Sequence, residues 1–271
     1  MASTPRTLAV GLIGYGAIGR PLAAALAAGA AAPARLAAVL VRDPTRYPPP
    51  PAGALLTADR AAFLARSLDL VVEAAGHAAL REHGEAVLAA GCDLLVVSVG
   101  AFADDALLAR LLATARETGR QILVPSGAIA GLDVIGAAAL GGLDEVTITT
   151  RKPPAAWKET PAEARAQAAT EPTLLFEGPA REGVMRFPQN VNVAAALALA
   201  GVGLDATRMR VYADPTVTHN THEVYARGTF GEVALTLRNV PTAENPKTGR
   251  IVALSVLKAV RNRCAALVVG L

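Results

Sequence analysis

Short apolar runs alternate with helix-length segments between residues 7 and 125 of this 271-residue chain. Such runs predict buried strands, and strands that alternate with helices form βαβ units around a parallel sheet. The expected strands are Leu8–Ile13, Leu36–Val41, Leu70–Ala74, Leu94–Val99 and Gln121–Pro125. The expected helices are 17–29, 59–66, 78–90 and 104–118. The alternation therefore predicts an α/β domain with a parallel sheet at the N-terminus.

The sequence changes character after residue 126, where a Gly- and Ala-rich helix to about Leu140 is expected. The strands expected after it are 146–151, 173–177, 209–213, 222–229 and 233–240, with a helix at 191–200. The Pro-rich segment 152–172 interrupts them and is expected to be a mobile excursion. These elements predict a second, α+β sheet domain at 127–246.

The last segment, 247–271, resembles an amphipathic helix. Its apolar face is expected at Ile251, Leu254, Leu257 and Val260, spaced as one side of a helix requires. We expect this helix to pack back on the first domain, which then comprises 1–126 together with 247–271.

A glycine motif, Gly14-Tyr-Gly-Ala-Ile-Gly19, joins the first strand to the first helix. Gly14 suits a tight turn, Gly16 lets the backbone approach a pyrophosphate, and Gly19 lets helix and strand pack closely. The helix N-terminus adds N–H groups and a partial positive charge, so Ala17 and Ile18 are candidate cofactor contacts as well. Between a strand and a helix, the motif predicts a Rossmann-type dinucleotide-binding domain.

The end of the second strand, Val39-Leu-Val-Arg-Asp43, bears on which dinucleotide binds. An acidic residue there holds the ribose 2′-hydroxyl of NAD, whereas an arginine suits the 2′-phosphate of NADP. Arg42 stands at the expected strand end and Asp43 follows it. Both NAD and NADP therefore stay open, and Arg42 favours NADP as a usable cofactor.

Composition excludes several other classes of protein. Hydrophobic residues make up 52% of the chain and charged residues 18%, which excludes a disordered chain. The net charge of +3 comes from scattered arginines and not from a basic block, so no nucleic-acid partner is expected. Polar residues interrupt the longest apolar stretch, so no membrane span is expected. With only Cys92 and Cys264, a cytoplasmic protein is expected.

Histidine is the candidate for proton transfer, because its reference pKa of about 6.5 lies near neutrality. His219 and His222 lie at the start of a strand in the second domain, and the residues alone do not choose between them. His77 and His83 are assigned surface or capping positions. The chain contains no metal-spaced Cys/His cluster, so no metal site is expected.

Other polar residues of the second domain are candidates for ligand contacts. Asn190 suits an N-cap, whereas Asn192 is placed to point its amide at cofactor or substrate. Arg151, Lys152 and Lys247 are candidates for pinning substrate carboxylates, with ordinary solvated positions as the alternative.

Seven ordered motifs together resemble the L-aspartate dehydrogenase family over about residues 8–262. They are Gly11–Gly19, Ser98–Asp104, Ser126–Asp133, Thr149–Lys152, Phe187–Ala194, Asn220–Glu223 and Glu244–Thr248. The resemblance implies NAD(P)-dependent oxidative deamination of L-aspartate to iminosuccinate, which hydrolyses to oxaloacetate and ammonia, and the reverse amination. It also implies His222 as the catalytic histidine, and Ala128 and Asn192 as cofactor contacts.

Two features depart from the family pattern. Arg42 stands where an acidic residue is common, and segment 152–172 is long and rich in Pro and Ala. Two alternatives stay open: a homoserine-dehydrogenase-like or dihydrodipicolinate-reductase-like oxidoreductase, and a cofactor-binding sensor without catalysis. The aliphatic composition indicates a subunit interface, and a homodimer is expected.

Overall fold

The computed structural model describes residues 7–158, 160–187, 192–242 and 249–270. The chain divides into two compact units. The first unit is Met1–Pro125 with Ala253–Leu271, and the second is Ser126–Val252.

The first unit contains a six-stranded sheet in which every pairing is parallel. Its strands are β1 (Ala9–Ile13), β2 (Arg35–Leu40), β3 (Leu55–Thr57), β4 (Leu70–Glu73), β5 (Asp93–Val96) and β6 (Ile122–Leu123). The spatial order is β3-β2-β1-β4-β5-β6, which is the doubly wound Rossmann order. The predicted α/β class is confirmed. The short strand β3 is an element that the sequence did not predict.

Four helices connect these strands: α1 (Gly19–Ala27), α2 (Arg60–Leu64), α3 (His77–Ala89) and α4 (Asp105–Thr118). Local sequence sets their ends, as α4 illustrates. The Asp104 carboxylate accepts a hydrogen bond from the Leu107 N–H at the start of α4, and Gly119 ends it with a left-handed φ of 65°.

The second unit contains a five-stranded mixed sheet, so the predicted α+β class is also confirmed. Its strands are β7 (Leu143–Lys152), β8 (Thr173–Pro179), β9 (Arg208–Ala213), β10 (Asn220–Gly228) and β11 (Gly231–Asn239), in the order β11-β10-β7-β9-β8. The helices are α5 (Leu132–Gly141), α6 (Glu163–Gln167), α7 (Ala180–Arg186) and α8 (Asn192–Ala200). Helix α7 was not predicted.

Strand β10 lies between β7 and β11 and pairs with both in antiparallel register. Side chains alternate between the two faces of a strand. His222, Val224 and Ala226 are therefore on one face and are buried, whereas Glu223 and Tyr225 point to the other, more accessible face. This alternation fixes His222 on the buried side of the sheet.

Segment 152–172 differs from the mobile excursion that the sequence predicts. Pro154–Trp157 form a 3-10 helix and α6 follows it, with Trp157 and Ala166 fully buried. The expectation was wrong because the prolines preset a compact turn, and the single tryptophan gives that turn an apolar anchor.

The C-terminal helix α9 spans Ile251–Asn262, which is shorter than expected. Its buried apolar residues are Val252, Val256 and Val260, while Ile251 and Leu254 are 44% and 58% exposed. The predicted apolar face was therefore wrong except at its C-terminal end. After α9, the Arg263 guanidinium binds Asp93 and Gln121, beside β5 and β6 of the first unit.

Candidate functional site

The glycine loop of the first unit has one distinct constraint at each glycine. Gly14 has a φ of +98°, and a Cβ there would lie 2.8–2.9 Å from backbone atoms of Ala74 and Ala75. A Cβ on Gly19 would overlap the Gly14 carbonyl oxygen, so strand and helix pack closely there. A Cβ on Gly16 would meet nothing within 4 Å. The loop is therefore closed against the protein at Gly14 and Gly19 and open at Gly16.

Ala17 and Ile18 complete the turn that leads into α1. The Arg20 N–H donates to the Gly16 carbonyl, and the Leu22 N–H donates to the Ile18 carbonyl. The first turn of a helix has N–H groups without intrahelical acceptors, which favour an anion such as a pyrophosphate. The glycine loop and the first turn of α1 together form a site that fits the phosphates of a dinucleotide.

A cavity of about 510 Å³ extends from this loop along the ends of β1, β2 and β4. Its lining residues include Gly14, Tyr15, Gly16, Arg42, Tyr47, Ala74, Ala78, Glu82 and His83. Strands β1 and β4 are neighbours at the point where the strand order reverses, which is where dinucleotides bind in such sheets. The cavity fits a nucleotide in position and in composition.

Arg42 and Asp43 differ in what they offer this cavity. Arg42 lines it. The Asp43 carboxylate accepts hydrogen bonds from the Thr45 hydroxyl at 2.6 Å and the Thr45 N–H at 3.0 Å, and these bonds lower the pKa of Asp43. Asp43 therefore caps the 3-10 helix Pro44–Arg46 through Oδ1, and Arg42 is the charged residue of this strand end that lines the cavity.

Glu73, at the end of β4, is a buried carboxylate that the sequence did not single out. It is 0% exposed and accepts hydrogen bonds from the N–H groups of Ala75, Gly76 and Ser98 and from the Ser98 hydroxyl, at 2.8–3.1 Å. Burial raises the pKa of Glu73, and the hydrogen bonds oppose that shift. Glu73 holds together the loops that follow β4 and β5, beside the Gly14 turn.

His222 occupies the buried face of the second sheet. It is 4% exposed, and its Nδ1 lies 3.0 Å from the Thr150 hydroxyl, on the residue paired with it across β7 and β10. Burial, and then the positive charge of Lys152, lower the pKa of His222 to about 3. The imidazole is therefore neutral at physiological pH and has a nitrogen lone pair to accept a proton.

His219 lies in a different environment, just before β10. Its Nδ1 is 2.8 Å from the hydroxyl of the neighbouring, exposed Thr218. The structure thus places His222, and not His219, in the buried cluster of polar groups.

Arg151 and Lys152 point to opposite faces of β7, because they are consecutive in a strand. Arg151 is bound to Glu223 at 3.3 Å and to Asp214 at 3.4 Å, and it lies over the Tyr212 ring. Lys152 is 3% exposed, shares the face of Thr150 and His222, and places its Nζ 5.7 Å from the centroid of the Trp157 ring. Lys247, the third predicted cation, lies outside the described residues.

The two cofactor contacts implied by the resemblance also belong to the second unit. Ala128 lies in the turn Ser126–Ile129, and its carbonyl accepts a hydrogen bond from Asn239 Nδ2 at 2.8 Å. Asn192 is the first residue of α8 and has an exposed side chain. Asn190, the predicted N-cap, lies outside the described residues.

Three buried residues with polar side-chain groups beside these candidate sites were assigned no role from the sequence: Thr150, Trp157 and Glu73. The pairing of Thr150 with His222 depends on strand register, which no local pattern displays. Trp157 did carry a signal, as a single tryptophan among prolines directly after the Arg-Lys strand end.

The described part of the chain contains no group of three or more His, Cys, Asp and Glu side chains arranged to hold a metal ion. None of the helices in that part has the length and apolarity that a membrane span requires.

Two family models match the chain, one for each half. The model described as the NAD binding domain of homoserine dehydrogenase matches residues 14–125. The model described as the C-terminal part of aspartate dehydrogenase matches residues 133–263.

Comparison with individual proteins gives the same result over longer spans. L-aspartate dehydrogenase 2 of Bordetella pertussis is 47% identical over 264 residues, 96% of this chain and 98% of that protein. L-aspartate dehydrogenase of Ralstonia pickettii is 52% identical over 200 residues, 73% of this chain and 75% of that protein. The crystal structure of aspartate dehydrogenase from Thermotoga maritima superposes with a TM-score of 0.79 at 25% identity, covering 98% of this chain and 100% of that one.

Proposed function

The chain belongs to the L-aspartate dehydrogenase family, and we propose that it catalyses nicotinamide-dependent oxidative deamination of L-aspartate to iminosuccinate, together with the reverse amination. Iminosuccinate hydrolyses to oxaloacetate and ammonia. The nicotinamide cofactor would supply the acceptor for the hydride of the substrate Cα. The observation that carries the proposal is a buried, neutral His222 beside Lys152, in the unit that matches the aspartate dehydrogenase model.

His222 is the general base of the proposed reaction. It takes a proton from the substrate amine or from the water that attacks the imine. To accept a proton at Nε2, the neutral imidazole must carry its own proton on Nδ1. In that tautomer the Nδ1–H donates a hydrogen bond to the Thr150 hydroxyl oxygen. Burial is the larger cause of the low pKa of His222, and the Lys152 charge is the smaller one. A substrate carboxylate near Lys152 offsets this smaller cause and so makes the base stronger.

Lys152 is the proposed cation for a substrate carboxylate, and Arg151 has a structural role. Arg151 is held by Glu223 and Asp214 on the other face of the sheet from His222. Lys152 lies on the same face as His222 and acts on it electrostatically. The alternative is that Lys152 itself is the base.

NADP is the proposed second cofactor beside NAD. The support is Arg42, which lines the nucleotide cavity while the Asp43 carboxylate is engaged by Thr45. An arginine at this strand end binds the 2′-phosphate through charge-assisted hydrogen bonds.

Domain roles, assembly and location complete the proposal. Residues 1–126 with 247–271 form the dinucleotide-binding domain, and 127–246 form the substrate domain. A homodimer is supported by the aliphatic composition, and light scattering on the purified chain tests it. A cytoplasmic location is supported by the two free cysteines, Cys92 and Cys264.

Steady-state kinetics with L-aspartate against NAD and NADP test the function, with L-homoserine and dihydrodipicolinate as competing substrates. We expect turnover with L-aspartate, and we expect His222→Ala to lower kcat by roughly 10² to 10⁴ while calorimetry shows cofactor binding intact. His219→Ala is the matched control and keeps near wild-type turnover. Undiminished turnover in His222→Ala contradicts the assigned role of His222. If the wild-type protein binds the cofactor but turns over none of these substrates, it is a cofactor-binding sensor without catalysis.

A further inference from the structure

Trp157 carries a buried hydrogen-bond donor without an acceptor. Its indole ring is 0% exposed, and Nε1 has no hydrogen-bond partner in the part of the chain that the structure describes. Leaving a buried N–H without a partner is costly, so native proteins keep few of them, and each one calls for an explanation such as a catalytic role or a bound water or ion. This donor therefore points to an acceptor supplied by a ligand.

The surroundings of Trp157 indicate the charge of that ligand. The Lys152 ammonium lies 5.7 Å from the centroid of the Trp157 ring, and Lys152 is itself 3% exposed. Lys152 and Thr150 are two residues apart in β7 and share one face, and Thr150 contacts His222. An unpaired N–H donor, a buried cation and the proposed base therefore belong to one cluster.

The segment that carries Trp157 is held in place by its own hydrogen bonds. The Thr160 hydroxyl donates to the Trp157 carbonyl at 2.7 Å, and Gln167 Nε2 donates to the Pro154 carbonyl at 3.2 Å. The Phe187 ring packs against the indole edge to face at 5.7 Å. The indole is thus positioned before any ligand binds, which reduces the entropy cost of using it.

We propose that the Trp157 indole N–H and the Lys152 ammonium together bind one carboxylate of a dicarboxylic amino-acid substrate. A carboxylate has two oxygens and accepts from both donors at once, which a neutral side chain of the same size does not do as well. Residues 153–158 are then the specificity element of the second unit. The assignment of an amino-acid substrate rests on the proposed function, whereas the carboxylate site does not.

Trp157 reports on this site directly, because it is the only tryptophan in the chain. The full-length protein, with NAD present, is titrated with succinate, an unreactive dicarboxylate, while the indole fluorescence is followed. We expect a saturable change in emission at the same concentrations at which calorimetry detects succinate binding. Binding detected by calorimetry without a change in emission overturns the proposal.

Two variants complete the test. Trp157→Phe keeps an aromatic ring and removes the N–H, and we expect succinate affinity to fall about tenfold or more, with KM for L-aspartate raised more than kcat is lowered. Tyr225→Phe is the matched control, because Tyr225 has an exposed hydroxyl on the other face of the sheet; it keeps wild-type affinity. If Trp157→Phe fails to fold, the fluorescence titration of the wild type still decides.

The outcomes separate this proposal from the proposed function. Turnover of L-aspartate with an unchanged KM in Trp157→Phe overturns the carboxylate site and leaves the function standing. Succinate binding that depends on Trp157, in a protein that does not turn over L-aspartate, supports the site and overturns the function.

Discussion

Thr150 and His222 are direct partners across two antiparallel strands, and the Thr150 hydroxyl lies 3.0 Å from His222 Nδ1. Both residues are buried, so the contact is shielded from water. A hydroxyl can donate or accept, so this contact orients the imidazole ring in either tautomer. The contact occupies Nδ1, and Nε2 is the nitrogen that the proposed mechanism uses for proton transfer.

Replacing Thr150 tests this positioning. Thr150→Val keeps the shape of the side chain and removes the hydroxyl, and we expect kcat to fall roughly tenfold because a net hydrogen bond is worth about 0.5–1.5 kcal/mol. KM for the cofactor stays unchanged, and Thr150→Ser restores most of kcat. The pH profile of kcat is the decisive measurement, since a merely structural role for Thr150 leaves it unshifted.

Glycine substitutions separate folding from cofactor binding in the first unit. A Cβ on Gly19 overlaps the Gly14 carbonyl oxygen, so Gly19→Ala destabilises the fold by about 1–3 kcal/mol. A Cβ on Gly16 enters open space, so Gly16→Ala keeps the melting temperature and weakens NAD binding. Thermal melts and calorimetry check the pair. Unaltered NAD affinity in Gly16→Ala contradicts the role of Gly16 in letting the backbone approach the pyrophosphate.

Much of the first unit follows from sequence, because buried parallel strands and the glycine turn are set by local apolar runs and backbone geometry. Strand β3 was not predicted because it has only three residues, which are too few to show a periodic pattern, and a run of prolines precedes it. The face of α9 was misjudged because Ile251 and Leu254 fit helical spacing yet are exposed. Periodicity gives the orientation of a helix face only where the whole helix is packed.

The second unit was less predictable, since its site depends on strand register and on contacts distant in sequence. Arg151 and Lys152 look equivalent in sequence. Because consecutive side chains of β7 point to opposite faces of the sheet, Arg151 pairs with Glu223 and Lys152 lies on the face of His222. The buried donor of Trp157 likewise becomes visible only when its neighbours are known.

The low pKa of His222 predicts how stability depends on pH. His222 has a pKa of about 3 when folded and about 6.5 when unfolded, so only the unfolded chain takes up this proton between those values. This residue therefore makes the free energy of unfolding fall as pH drops from about 6.5 towards 3, by up to about 1.4 kcal/mol per pH unit.

His222→Gln removes that dependence, so its stability relative to wild type improves steadily as the pH is lowered. Urea unfolding of both proteins at matched pH values measures the difference. Burial raises the pKa of Glu73, which acts in the opposite direction but equally in both proteins. A constant difference between pH 6.5 and pH 4 contradicts a buried, neutral His222.

Arg42 predicts a change of cofactor preference that leaves the chemistry intact. Arg42→Ala removes the cation that lines the nucleotide cavity, and we expect kcat/KM for NADP to fall roughly 10- to 100-fold with kcat/KM for NAD nearly unchanged, because only NADP carries the 2′-phosphate. Arg46→Ala is the matched control. Arg46 is an exposed arginine four residues further along the chain, and it is not among the described residues that line this cavity. We therefore expect its loss to affect the binding of neither cofactor. An equal loss for NAD and NADP in Arg42→Ala shows instead that Arg42 contacts a part common to both.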